Sequence, residues 1–325
     1  MIALLALALA AAAPGTPAQL ARGQYLSNLC ECFSCHSPLR DLPYEEPVAG
    51  MLGAGDILSK EQRKVAPNLT PDRETGAGAF TDEQWLRAIR AGIGHDGRKL
   101  SLAMPYDYFS VMTDEDAAAL IAYMRSLTSV RHALPKWIPT DAAEPPPDAL
   151  LPPARPKDLE APVARGAYLA HLARCVLCHS ARPAGETWRH RRADMEFGGG
   201  RRFSTKPFFD ELDPDEATTA PSKTPEPAGS VVVSANITQD ASGIAYYDRA
   251  VFIQTIRSGR VAGIRPLSNA MPWRRFRHLT DDDLGAIFAY LQAVPQVRHR
   301  VNNTDPPTWC PRCGRVHGLG ELNRP

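Results

Sequence analysis

The chain has 325 residues, with 37 lysines and arginines against 36 aspartates and glutamates, for a formal net charge of +1. That length admits two or more domains, and the charge balance removes any global reason to bind nucleic acid or an anionic membrane, so partners must be chosen by local patches. Thirty prolines and 23 glycines indicate much irregular backbone, as in a chain whose core is filled by more than side chains.

In chain order, an apolar run from Ile2 to Ala13 leads into Pro14-Gly15-Thr16-Pro17-Ala18. It has the form of an export signal with small residues near its cleavage point, and is too short to span a bilayer as an ordinary helix. A positive n-region is missing. Residues 1–18 are therefore read as an export signal, with an uncleaved N-terminus as a weak membrane tether the alternative. Ala18 to Leu29 reads as a first helix, with Leu20, Tyr25 and Leu29 toward the core and Gly23 where another backbone approaches closely. Cys32-Phe33-Ser34-Cys35-His36 follows. Asn68-Leu69-Thr70-Pro71-Asp72 is turn chemistry. A short helix from Thr81 to Ala91, capped by Thr81 with Gln84 and ended by Gly92, presents Trp85, Ala88 and Ile89. After Met104-Pro105, a last helix starts at Thr113 with Asp116 in the capping arrangement, with Leu120, Tyr123, Met124 and Leu127 at helical spacing. It is the expected neighbour of the first helix.

Residues 135–162 turn to proline, alanine and acids around Pro145-Pro146-Pro147, a semi-rigid spacer that would fix the separation of whatever it joins. Beyond it the series returns. Ala164-Arg165-Gly166-Ala167-Tyr168-Leu169 and Cys175-Val176-Leu177-Cys178-His179 repeat the earlier segments at an offset of 143, and from Trp85 onward the offset is 167. Met271-Pro272 matches Met104-Pro105, and Thr280 with Asp283 matches Thr113 with Asp116. The second copy carries an insertion at 181–233, basic and glycine-rich at first, acidic at Asp210 to Glu216, and ending in a Val231-Val232-Val233 strand or hairpin.

Each Cys-x-x-Cys-His segment has the spacing of a haem c attachment site. Two thiols three positions apart add to the vinyl groups of one porphyrin, and the histidine becomes an axial iron ligand. A zinc ribbon has no need of that histidine, and no strand-rich pattern supports a thioredoxin-type pair. Met104 and Met271 recur at one repeat position as soft donors, each before a proline that stiffens the loop. Met112 is the rival in the first copy, but Leu279 stands at its counterpart.

These segments, with Ala66-Pro67-Asn68-Leu69-Thr70-Pro71-Asp72, Ala88-Ile89-Arg90-Ala91-Gly92 and Thr113 through Leu127, resemble the mono- and dihaem c-type cytochromes of bacterial respiratory chains, including cytochrome subunits of alcohol and gluconate dehydrogenases. The resemblance covers most of residues 20 to 130 and 163 to 295. It implies an all-α chain of two tandem class I cytochrome c folds, at 19–134 and 163–298, joined by the proline-rich linker. Two haem c groups would be held by Cys32, Cys35, Cys175 and Cys178, with axial pairs His36/Met104 and His179/Met271. Attachment outside the cytoplasmic membrane places the protein in the periplasm or on the outer face of that membrane.

The tail, 299–325, contains Cys310-Pro311-Arg312-Cys313-Gly314, where glycine replaces the histidine a third haem would need. Cys310 and Cys313 form a small disulfide, or bind zinc with His317 and a fourth donor; both readings stand. Cys30 aligns with Ala173 and is free or paired with the tail. Asn68, Thr70, Arg90 and Arg257 are candidates for haem propionates, against ordinary turns and solvated charges. The remaining histidines read as surface or structural.

The functional expectation is an electron carrier passing single electrons between a donor dehydrogenase or quinol-oxidising complex and an acceptor oxidase or soluble cytochrome. Membrane contact would come through a partner or the N-terminus. No flavin, quinone or nicotinamide fingerprint marks a complete dehydrogenase. The alternatives are a dihaem enzyme of peroxidase or thiosulfate-oxidising type, which needs an open iron, and the cytochrome subunit of a membrane-bound dehydrogenase.

Overall fold

A computed structural model describes residues 15–40, 46–140, 150–183, 190–204, 231–263, 265–268, 270–301, 308–310 and 315–317. The export segment up to residue 14, the Pro145-Pro146-Pro147 centre of the spacer, the acidic stretch at 210–216, Cys313 and the side chain of Cys310 lie outside these residues.

The first half contains α1 (Pro17–Leu29), α2 (Cys32–Cys35), α3 (Asp82–Ala91), α4 (Tyr106–Phe109) and α5 (Asp114–Ser126). The second contains α6 (Pro162–Leu172), α7 (Cys175–Cys178), α8 (Arg249–Ser258), α9 (Trp273–Phe276) and α10 (Asp281–Ala293). From α2 to α5 each helix matches its counterpart residue for residue at the offsets read from the sequence. Local chemistry sets the boundaries. Thr81 and Gln84 form a reciprocal capping box, and Gly92 ends α3 in the left-handed conformation at φ 66°. A second box, Thr16 with Gln19, starts α1 and was not foreseen.

The first and last helices of each half pack together. They approach so closely because Gly23 and Gly166 leave room: a Cβ built on Gly23 would lie 2.1 Å from the Ala119 carbonyl oxygen, and one on Gly166 would lie 1.9 Å from that of Ala286. The fold is mostly helical, but among the described residues four two-stranded antiparallel ladders depart from the all-α expectation. These are β1 (Asp56–Ser59) with β2 (Lys64–Ala66), β3 (Arg202–Ser204) with β4 (Val231–Val233), β5 (Arg260–Val261) with β6 (Arg265–Pro266), and β7 (Thr308–Cys310) with β8 (Arg315–His317). They satisfy loop backbone between the helices, which periodicity does not report. The expected strand at Val231–Val233 is β4, its register running Arg202 to Val233.

The halves share one continuous apolar core and meet in a reciprocal contact. Tyr168 on α6 donates to Asp116 at 2.7 Å, while Arg22 on α1 holds the same carboxylate with two bonds of 2.7 and 2.6 Å. Reciprocally, Tyr25 on α1 donates to Asp283, which also accepts from Arg165. Each tyrosine thus completes the helix start of the other half. Tyr25 packs against the core, as its position on the helix predicts, and its hydroxyl reaches across to the other half for a partner. The spacer's flanks run along the first half, with Leu151 N–H on the Ser110 hydroxyl and Ala154 N–H on the Val111 carbonyl. Direct packing therefore sets the separation of the halves, where the spacer had been expected to do so.

Burial, then the bond to Asp283, raises the Tyr25 phenol above its ordinary value; burial and the Asp116 charge do the same for Tyr168. A phenol raised in the folded state contributes stability that is complete below the unfolded value of about 10 and is lost as pH rises past it. The thermal midpoint is expected to fall steeply above that pH, and to fall less steeply in a Tyr25→Phe/Tyr168→Phe double variant; equal slopes would disprove the assignment.

Candidate functional site

Both Cys-x-x-Cys-His segments fold as a single helical turn. The turn is closed by His36 N–H on the Cys32 carbonyl at 3.0 Å and His179 N–H on the Cys175 carbonyl at 2.9 Å, which sets the two thiols of each segment on one side. The residue before each turn is left-handed: Glu31 at φ 55° and Arg174 at φ 57°. These two equivalent residues pair with each other across the contact between the halves.

The histidines are oriented from behind. His36 Nδ1 meets the Pro67 carbonyl and His179 Nδ1 the Ala235 carbonyl, both at 2.8 Å. A carbonyl only accepts, so Nδ1 carries the proton and Nε2 keeps its lone pair for a metal. Burial pushes both imidazoles below their ordinary value, which keeps them neutral. Burial also pushes the Cys32 and Cys175 thiols up to about 12 and Cys35 to about 11. Surroundings that penalise a thiolate suit an uncharged thioether.

In the second half, Cys175, Cys178, His179 and Met271 line one cavity. Its walls are apolar: Phe252 and Ile256 from α8, and Leu284, Ile287 and Leu291 from α10. Met271 sits in a tight turn, its N–H on the Ser268 carbonyl at 3.1 Å and its own carbonyl accepting from Trp273 at 2.8 Å. In the first half Met104 is held alike, by Ser101 at 3.0 Å and Tyr106 at 2.8 Å, and packs against the core. A flat macrocycle with polar iron and apolar faces fits such walls, with two thiols, a lone-pair nitrogen and a thioether converging on it. Met112 is fully buried core.

Several sequence candidates have other employment. Asn68 accepts from the Thr70 N–H and hydroxyl at 2.9 and 2.7 Å and donates to the Val130 carbonyl at 2.8 Å; Asn236 and Thr238 do the same toward Val297. They staple the turn to the chain leaving the last helix. Arg90 pairs with Asp114 at 2.8 Å and Arg257 with Asp281 at 2.7 Å, tying α3 to α5 and α8 to α10. An arginine and an aspartate kept 24 residues apart in both copies was the signal for this clamp. His132 and His299 bond backbone carbonyls, and His95 stacks on Phe80. Cys30 is a free thiol, 2% exposed. Among the described residues no group of three or more His, Cys, Asp or Glu is placed to hold a metal ion, and no helix is long and apolar enough to cross a membrane.

Residues 20–128 match the family model described as cytochrome c. Over these residues, a third of the chain, the first half is similar to a cytochrome c domain, and the family of that model is one of electron-transfer proteins with covalently bound haem c. Beyond the domain, the chain is 29% identical over 320 residues to the alcohol dehydrogenase (quinone) cytochrome c subunit of Gluconacetobacter polyoxogenes, covering 93% of this chain and 62% of that protein. It is 29% identical over 291 residues to the fructose dehydrogenase cytochrome subunit of Gluconobacter japonicus, covering 85% and 52%. A diheme cytochrome c-type protein of Cereibacter sphaeroides is 25% identical over 305 residues, 87% of this chain and 88% of the relative. The chain thus spans about half to three-fifths of the length of the two dehydrogenase subunits. The cytochrome c resemblance read from the motifs agrees with these matches.

Proposed function

We propose that the chain is a dihaem cytochrome c, two tandem class I folds at 19–134 and 163–298 joined by residues 135–162, which passes single electrons as the cytochrome subunit of a dehydrogenase. Cys32, Cys35, Cys175 and Cys178 attach the haems; His36 with Met104 and His179 with Met271 bind the irons. The observation that carries this reading is the apolar cavity in which Cys175, Cys178, His179 and Met271 converge, together with the recurrence of its helices in the cytochrome c domain. The dehydrogenase-subunit relatives support the choice of partner class.

The haem supplies one-electron chemistry between ferrous and ferric iron. The protein's part is to exclude water with α8 and α10, to present Nε2 of each histidine, and to hold each sulfur in a proline-stiffened turn. Pyridine haemochrome analysis of the matured protein is expected to give two covalent haems per chain. Its oxidised spectrum is expected to be low-spin and unmoved by cyanide or peroxide. Met104→Ala and Met271→Ala should each convert one haem to a form that binds cyanide. A single haem per chain, or peroxide turnover by the unaltered protein, would overturn the reading.

A further inference from the structure

The two copies have kept their helices and diverged in charge around the candidate methionine loops. Residues 257–278 contain six arginines and no acid, whereas the equivalent residues 90–111 contain three cations and two anions. Where the second copy has Arg260, Arg274 and Arg277, the first has Ile93, Asp107 and Ser110. Arg260 and Arg277 are exposed. Arg274 and Arg277 lie over the ring of Trp273, their guanidinium carbons 4.6 and 5.9 Å from its centre. A shallow depression lies between Arg260, Leu267, Trp273 and Arg274, beside the turn that ends in Met271. Of the other three arginines, Arg257 pairs with Asp281, Arg275 acts on Glu31 at the contact between the halves, and Arg265 lies on β6. Cations spread over one aromatic platform, planar and weakly hydrated, suit a surface that must shed water against carboxylates.

We infer that the face formed by Arg260, Arg274 and Arg277 around Trp273 docks an acidic redox protein, so that electrons are exchanged with that partner through the second half rather than the first. The inference rests on the dihaem reading above. With haem held by Cys175 and Cys178, the exchange would be of one electron with the partner's redox centre, one oxidised as the other is reduced, with no other reactant. Complementary charge raises encounter rates by about tenfold or more at low salt and is screened beyond roughly 10 Å at 0.1 M.

The test oxidises the fully reduced protein in a stopped-flow instrument with two small probes, anionic hexacyanoferrate(III) and cationic tris(phenanthroline)cobalt(III). The variant Arg260→Glu/Arg274→Glu/Arg277→Glu is expected to react roughly tenfold more slowly with the anion at low ionic strength, with the salt dependence inverted, and faster with the cation. The matching first-half variant, Arg98→Glu/Lys99→Glu, should change either rate much less. Unchanged rates in the triple variant, or a larger effect from the first-half variant, would overturn the assignment. So would a rise in the hexacyanoferrate rate when Asp210, Glu211, Asp213, Asp215 and Glu216 are made neutral while the triple variant changes nothing, since the chain's own acids would then cover the face. Haem stoichiometry and low-spin spectra, recorded on every variant, separate these outcomes from failure of the dihaem reading.

Discussion

Replacing Asp283 with alanine is expected to cost about 1–3 kcal/mol, the range for deleting a buried acceptor and leaving its hydrogen-bonding partners unsatisfied. Its carboxylate is 1% exposed and accepts from Arg165 in its own half and Tyr25 in the other. Its N–H also donates to the capping hydroxyl of Thr280 at 3.1 Å. Removal leaves the half-buried Tyr25 hydroxyl without its acceptor and turns the Arg165 guanidinium, 42% exposed, over to solvent. Asp283→Asn keeps the shape and the acceptor oxygen but not the charge, and should cost less than half as much. Denaturant unfolding of the haem-loaded protein measures both. An alanine variant within 1 kcal/mol of the unaltered protein would show that the network breaks even, as surface pairs do.

Gly166→Ala is expected to be destabilising even though alanine is the better helix former by about 1 kcal/mol. The added carbon would sit 1.9 Å from the Ala286 carbonyl oxygen, an overlap with backbone that side-chain rotation cannot relieve. The helices must part, and overpacking of this kind costs about 1–3 kcal/mol. Because α10 supplies Leu284, Ile287 and Leu291 to the candidate cavity, parting should also disturb the second haem. The expected result is a lower thermal midpoint together with weakened methionine ligation, read as cyanide binding at one haem. Gly166→Val should exaggerate both effects. A stabilised alanine variant would mean that the helices tolerate a wider spacing than their packing implies.

Local features of this molecule were legible from the chain. Thr81 with Gln84, Gly92, and the glycines at 23 and 166 announce caps and close approaches because their causes lie within one helical turn or are copied in the repeat. The Cys-x-x-Cys-His segments stood out for the same reason, since their signal is one of order and spacing. Contacts between distant residues were not legible. Tyr25 has an apolar-face position on α1, and nothing within several residues of it says that its hydroxyl will reach Asp283. Arg90 was read as a candidate for a propionate or solvent, whereas it closes on Asp114. The short ladders escaped because two or three residues in a loop carry no period. The repeat did hold a further clue: a tyrosine kept in both copies of the first helix, and an acid kept at the third position of both last helices, is what a reciprocal contact requires.

The ion pair between Glu31 and Arg174 has one more implication. Because the two residues hold the same place in their respective copies, an association of either half with itself would set carboxylate against carboxylate or guanidinium against guanidinium. The ancestral contact, if formed by like molecules, had no such bias. Divergence at a single site has made the halves complementary strangers, so severing the chain between them leaves fragments that prefer each other to their own kind.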